Sequence, residues 1–247
     1  MPQPRRALRS FRARSVSRIW GGLLWLVLSA ATAAAQTISP VIVEYREKAQ
    51  GKFQLTNDSD FPLFVVLEPQ SFSVDQGGNP TFRPLDPGIH VSLSTMSFRL
   101  AAKQVYTVFY KANADRLPAW FVIYATITGK TMPTGIKIAL ELPHTVYLLT
   151  KKPLARDDVV WLHADAHPDK KLIEAQVENR SAEISRVLEV EVSSPAGKKE
   201  YAGFPLFPGQ RRTMQLDWDQ PGEPQRIVLK FEHFKTESAI RSVSASP

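Results

Sequence analysis

One short stretch of the sequence, residues 161–169, carries side chains that could together bind a metal ion. If this stretch is a strand, His163, Asp165 and His167 lie on one face, because alternate residues of a strand point to the same side. Imidazole and carboxylate groups are ligands that zinc accepts. No fourth ligand follows at a recognisable spacing, and His-Pro-Asp at 167–169 is typical of a turn between strands. The sequence therefore favours a strand followed by a turn, and it predicts no metal site.

No other arrangement of residues in the sequence is typical of an enzyme. There is no Gly-x-Ser-x-Gly, no phosphate-binding glycine loop and no His-Glu-x-x-His. The remaining histidines, His90, His144 and His233, are far apart in the sequence. Because cysteine is absent, a thiol nucleophile, a cysteine-ligated zinc ion and an iron–sulfur cluster are excluded. We predict a protein without catalytic residues or a cofactor; a hydrolase or metal protein is the remote alternative.

Residues 1–35 have the layout of a cleaved secretory signal peptide. Six arginines and no acidic residue lie within residues 1–20, an apolar run follows at 20–30, and small residues occupy 31–35. The apolar run is shorter than the roughly 20 residues that a transmembrane helix needs. The alternative is an uncleaved N-terminal anchor. We expect export to the periplasm, with membrane contact only through this transient segment.

The composition of the exported chain constrains its stability more than its partners. Removing residues 1–35 takes away six of the 31 basic residues and none of the 24 acidic ones, so the formal charge falls from +7 to +1. No basic run remains that would bind nucleic acid, and nothing indicates a small-molecule substrate. Without cysteine there is no disulfide framework, so hydrophobic cores must stabilise the protein. The roughly 210 remaining residues suffice for two domains of about 100 residues each.

The remaining sequence predicts an all-β protein made of two immunoglobulin-like β-sandwich domains in tandem. Runs of β-branched and aromatic residues, such as 120–127, are separated by turn clusters rich in glycine and proline, such as 76–80. Run 136–142 alternates strictly between apolar and other residues, which is typical of a strand. The expected segments after the signal peptide are an N-terminal domain over 36–150, a linker at 151–153, a C-terminal domain over 154–236 and a flexible tail at 237–247.

The two predicted domains share an Asn-x-Ser triplet at the end of a strand. Residues 52–59 and 171–181 are similar, and each contains the triplet, at Asn57 and at Asn179. Short polar side chains at such positions can bond the main chain of a turn. The alternative is a glycosylation acceptor, which the same triplet formally allows. We favour the turn.

The order of these features resembles the PapD-like periplasmic chaperones of the chaperone–usher pilus pathway. The resemblance covers about residues 38–235, and it rests on short segments that follow one another in the same order. These segments are the strand ending at Asn57, Phe98-Arg99-Leu100 with 105–108 after a turn, Leu117-Pro118, 136–141, 177–181 and Leu206-Phe207-Pro208-Gly209.

The resemblance implies a boomerang of two immunoglobulin-like domains and a chaperone for pilus or fimbrial subunits. Its partners would be pilin-like exported subunits, which it would deliver to an outer-membrane usher for surface assembly. The last strand of the first domain would bind the client, since an unpaired edge strand can pair with an incoming chain. The client-binding side chains would be Ile136, Ile138, Leu140 and Leu142, which share one face of that strand. The alternative is that this face packs the core of the domain.

The sequence departs from the family at the site that binds the client's terminal carboxylate. The family uses an arginine and a lysine there, and the matching positions are Val41 and either Thr145 or Leu148. Candidates for replacing them in the cleft between the domains are Arg46, Lys137, His144 and Lys151. This departure leaves a second function open, namely a non-enzymatic immunoglobulin-like structural or adhesion protein of the cell envelope without a folding client.

Overall fold

The computed structural model describes residues 36–129 and 139–243. The predicted signal peptide and three of the predicted site residues, Ile136, Lys137 and Ile138, lie outside these ranges. No helix in the described ranges is long and apolar enough to cross a membrane.

The regular elements of the described residues are strands, apart from two short 3₁₀ turns at Arg156–Asp158 and Pro168–Lys170. The first nine strands are β1 (Gln36–Ser39), β2 (Ile42–Arg46), β3 (Ala49–Asn57), β4 (Leu63–Val74), β5 (Pro80–Pro84), β6 (Ile89–Leu93), β7 (Ser97–Leu100), β8 (Val105–Ala114) and β9 (Ala119–Thr128). The remaining strands are β10 (Ala139–Leu149), β11 (Val159–His167), β12 (Leu172–Asn179), β13 (Ser185–Ser194), β14 (Gly197–Leu206), β15 (Arg211–Asp217), β16 (Arg226–Lys230), β17 (Lys235–Ala239) and β18 (Arg241–Ser242).

The first ten strands form two sheets that pack face to face. One sheet has the order β1-β3-β8-β6, and the other has the order β2-β10-β9-β4-β5, with β7 also pairing with β4. Their inward side chains build one hydrophobic core that includes Phe53, Leu55, Phe121, Ile123 and Leu148. The chain passes from the first sheet to the second between β1 and β2, so these two short strands cover the same side of the sandwich.

The last eight strands form a second sandwich with a core of its own. Its sheets have the orders β15-β12-β11-β18 and β14-β13-β16-β17. Alternate residues of β12 are buried, including Ile173, Ala175 and Val177, as the period-two sequence pattern requires. The predicted fold class, two all-β sandwiches in tandem, is confirmed.

The C-terminal residues depart from the predicted flexible tail. β17 pairs with β16, and β18 pairs in parallel with β11, so residues 237–243 belong to the second sandwich. These strands are short and carry few apolar side chains, so their sequence lacks the alternation that marks the inner strands.

Both Asn-x-Ser triplets form turns, which confirms the favoured interpretation. The fully buried Asn57 side chain donates to the carbonyl oxygens of Phe61 (2.9 Å) and Ala101 (2.8 Å), and its Oδ1 accepts from the Ser59 N–H at 3.0 Å. Asn179 repeats this arrangement in the second sandwich: it donates to the carbonyl oxygens of Glu183 (2.7 Å) and Phe207 (3.0 Å), and accepts from the Ser181 N–H at 3.0 Å. In the folded protein neither amide is accessible to a glycosylating enzyme, because both are buried.

Candidate functional site

Strand β10 is paired along nearly its whole length on one side and along only half of it on the other. It runs antiparallel to β9 from Ala139 to Leu148. On the opposite side β2 pairs with it only from Thr145 to Leu149. Within the part of the chain that the structure covers, residues 139–144 therefore have no strand partner on that side. We call residues 139–144 of β10 the open edge.

The register shows which main-chain groups face the open side. Thr145 donates its N–H to Val41 at 2.7 Å, and the Leu149 carbonyl accepts from Glu47 at 2.8 Å, so the odd-numbered residues of β10 direct their main-chain groups towards β2. By the same alternation, Ala139, Glu141 and Pro143 direct theirs towards the open edge. Proline lacks an N–H, and it fits at 143 because β9 requires no donor from that position. The open edge thus offers two donors and three acceptors.

The even-numbered side chains of β10 face the core, and their burial decreases towards the open edge. Val146 and Leu148 are fully buried, Leu142 is half-buried against the core, and Leu140 is 38% exposed. Of the predicted client-binding side chains within the described ranges, Leu142 packs against the core and Leu140 is the more exposed.

His144 lies where the open edge meets the paired part of β10, and it is fully buried. Its Nδ1–H donates to the Pro40 carbonyl at 2.6 Å, and its Nε2 accepts from the Tyr110 hydroxyl at 3.0 Å. The imidazole stacks on Phe53 with ring centroids 4.7 Å apart. The prediction that His144 is a basic group in the interdomain cleft is wrong, because even-numbered residues of β10 point into the first core.

Burial lowers the pKa of His144 below its ordinary value of 6.5, although the Pro40 carbonyl acts in the opposite direction. Below about pH 6.5 the unfolded chain therefore binds a proton that the folded protein does not. The free energy of unfolding decreases as the pH is lowered, by at most about 1.4 kcal/mol per pH unit. We expect the melting temperature to decrease between about pH 7.5 and about pH 5.5, and we expect His144→Gln to weaken this decrease. The control is His233→Gln, which removes an exposed histidine. An unchanged pH dependence of the melting temperature in His144→Gln would contradict the assignment of this dependence to His144.

The cleft between the two sandwiches contains an apolar contact, with charged side chains beside it. Phe72, Val122 and Tyr147, on the outer face of the first sandwich, pack against Ile184 and Phe207 of the second. This contact explains the nearly continuous apolar sequence of β9, because that strand is covered on both faces at this end.

An ion pair beside these apolar residues joins the two sandwiches. Arg186 Nη1 lies 3.5 Å from Glu44 Oε1, and both side chains are half-buried. Burial raises the pKa of Glu44, Arg186 lowers it, and Glu232 raises it. Sequence reasoning missed this pair, because nothing in the pattern around Arg186 indicates that it faces another domain.

The other predicted basic residues occupy different places. Arg46, the last residue of β2, lines the cleft and donates to the carbonyl oxygens of Thr150 (3.4 Å) and Lys151 (3.2 Å). Lys151 is exposed and pairs with Glu47 at 3.3 Å. Of the three positions that match the family's basic pair, Leu148 is buried, Thr145 is half-buried and Val41 is 47% exposed.

Two of the three residues weighed in the sequence as metal ligands, Asp165 and His163, lie beside other charged groups. Asp165 pairs with Arg241 at 2.8 Å, and His163 lies 3.6 Å from Glu174. In the second sandwich, the carboxylates of Glu189, Glu191 and Glu200 lie close together, and lysines pair with them: Lys230 donates to Glu191 at 2.9 Å, and Lys198 donates to Glu200 at 2.9 Å.

Comparison with solved structures identifies the fold. The chain is similar to the YadV chaperone (11% identity, TM-score 0.52, covering 83% of this chain and 98% of that one) and to the Escherichia coli chaperone DraB (14%, 0.52, 83% and 97%). It is also similar to a chain in the complex of the Salmonella enterica SafA pilin with the SafB chaperone (12%, 0.55, 85% and 98%). No protein-family model and no curated protein matches the sequence. The fold is that of the PapD-like pilus chaperones, as the resemblance implies.

Proposed function

We propose that this protein is a periplasmic chaperone for pilus or fimbrial subunits and that it acts by binding rather than catalysis. It is exported with residues 1–35 as its signal peptide, which is then cleaved. Residues 36–150 form the client-binding domain, 151–153 the linker, and the residues from 154 the second domain. The observation that carries the proposal is the open edge, where residues 139–144 pair with β9 but have no second strand partner within the described ranges, and where Leu140 is exposed. One of the similar solved structures contains a pilin together with its chaperone, which supports the choice of client.

The client segment pairs with the open edge as an added strand. Main-chain bonds supply part of the affinity in such β-augmentation, and side chains at alternate positions supply the rest. Only two N–H donors face the open side, because Pro143 has none. Apolar contact with Leu140 and Leu142, together with Ile136 and Ile138, therefore carries much of the binding. The chaperone then delivers its client to an outer-membrane usher.

A synthetic peptide tests this function without knowledge of the natural client. The alternating peptide has eight residues, valine at every second position and threonine between. Its control has the same composition with the four valines contiguous. Fluorescence anisotropy with the mature protein should show saturable binding of the alternating peptide and much weaker binding of the control. Equal binding of both, or of neither, would contradict strand addition and favour a structural or adhesion protein without a client.

A further inference from the structure

The open edge ends at an apolar step. β2 begins to pair with β10 at Thr145, so a strand added along residues 139–144 must end or turn away there. The side chains at this step are Val41 and Ile42, which are 47% and 39% exposed. Segments 36–45 and 139–149, which form the step and the edge, contain no lysine and no arginine. The end of an added strand would therefore contact apolar side chains.

Two cations of the nearby cleft, Arg186 and Arg46, already have partners, and Lys152 also lines this cleft. Arg186 faces Glu44 across the cleft, and Arg46 donates to two carbonyl groups where the chain leaves β10. Glu44 also stands between the step and Arg46, because Ile42, Glu44 and Arg46 follow one another on one face of β2. Successive residues on that face are about 7 Å apart, so a carboxylate that passed the step would meet the Glu44 carboxylate before it reached Arg46.

We propose that the open edge binds an uncharged, extended apolar segment and does not recognise a terminal carboxylate. This inference rests on the proposed function and specifies the chemistry of its client. In a site that recognised a terminal carboxylate, the carboxylate of the client would pair with Arg186. Here the Glu44 carboxylate already occupies that position. An internal segment of a subunit is then as good a ligand as a C-terminal one, provided that its apolar residues alternate.

The test compares the alternating peptide as a C-terminal free acid and as a C-terminal amide, both acetylated at the N-terminus. We expect dissociation constants that agree within about two-fold, and that change by less than about two-fold between low and high salt, since screening acts only on exposed charge pairs. Arg186→Gln should leave both values within the same range. Glu44→Gln should tighten binding of the acid relative to the amide, because it removes a like charge near the step.

Two results would overturn the inference, and they are distinguishable. Binding of the acid about ten-fold or more tighter than the amide, weakened by salt and lost in Arg186→Gln, would show that the carboxylate is recognised, while the proposed function would stand. Failure of both peptides to bind would overturn the inference and the proposed function together.

Discussion

Asn57→Ala should lower the free energy of unfolding by about 3–4 kcal/mol, because it removes the hydrogen bonds of a fully buried side chain that holds the main chain of a turn. The Asn57 amide donates to the carbonyl groups of Phe61 and Ala101, and its oxygen accepts from the N–H of Ser59. The Ser59 N–H and the Leu100 carbonyl are the buried main-chain partners of this side chain, and each unsatisfied buried group costs about 1–3 kcal/mol. Urea denaturation followed by circular dichroism measures the change.

The control for this substitution is Asn113→Ala, on the exposed face of β8. It should change stability by less than about 0.5 kcal/mol, as surface substitutions usually do. Asn179→Ala should behave like Asn57→Ala, since the same contacts recur in the second sandwich. A loss of less than about 1 kcal/mol in Asn57→Ala would show that the turn does not depend on its side chain.

Leu140→Asp should abolish binding of the alternating peptide, with a loss of about 30-fold or more, while the melting temperature changes little. A charge at the exposed end of β10 remains in water in the free protein, but it is placed against an apolar client in the complex. Leu148→Asp is the matched variant, since Leu148 lies on the same face of the same strand and is fully buried. It should unfold the domain, at a cost above about 4 kcal/mol.

The pair of substitutions separates the two interpretations of the β10 face. If the whole face were core, Leu140→Asp and Leu148→Asp would both lower the melting temperature strongly. A Leu140→Asp protein that is folded and binds the peptide with unchanged affinity would contradict the assignment of the client-binding strand.

Local signals in the sequence predicted much of this architecture. The period-two alternation of β12 marks a half-buried strand, and the Asn-x-Ser triplets mark turns, because these features depend on neighbouring residues. The polar strands β17 and β18 lack such a signal, and the sequence interpretation placed β18 and most of β17 in a tail.

Non-local features of the site could not be predicted in the same way. Whether His144 faces the core or the cleft depends on the register of β10 against β9, and a slip of one residue would reverse it. The Glu44–Arg186 pair joins two sandwiches through side chains far apart in the sequence, and neither neighbourhood indicates the contact. The open edge itself follows from where β2 begins to pair, which alternation within residues 136–142 does not determine.

Amide exchange along β10, measured by NMR with and without the alternating peptide, tests strand addition most directly. The N–H of Glu141 faces the open side, whereas those of Leu140 and Leu142 face β9. We predict that bound peptide slows exchange at Glu141 by about ten-fold or more and changes exchange at Leu140 and Leu142 much less. Saturating binding that leaves Glu141 exchange unchanged would contradict client binding at the open edge.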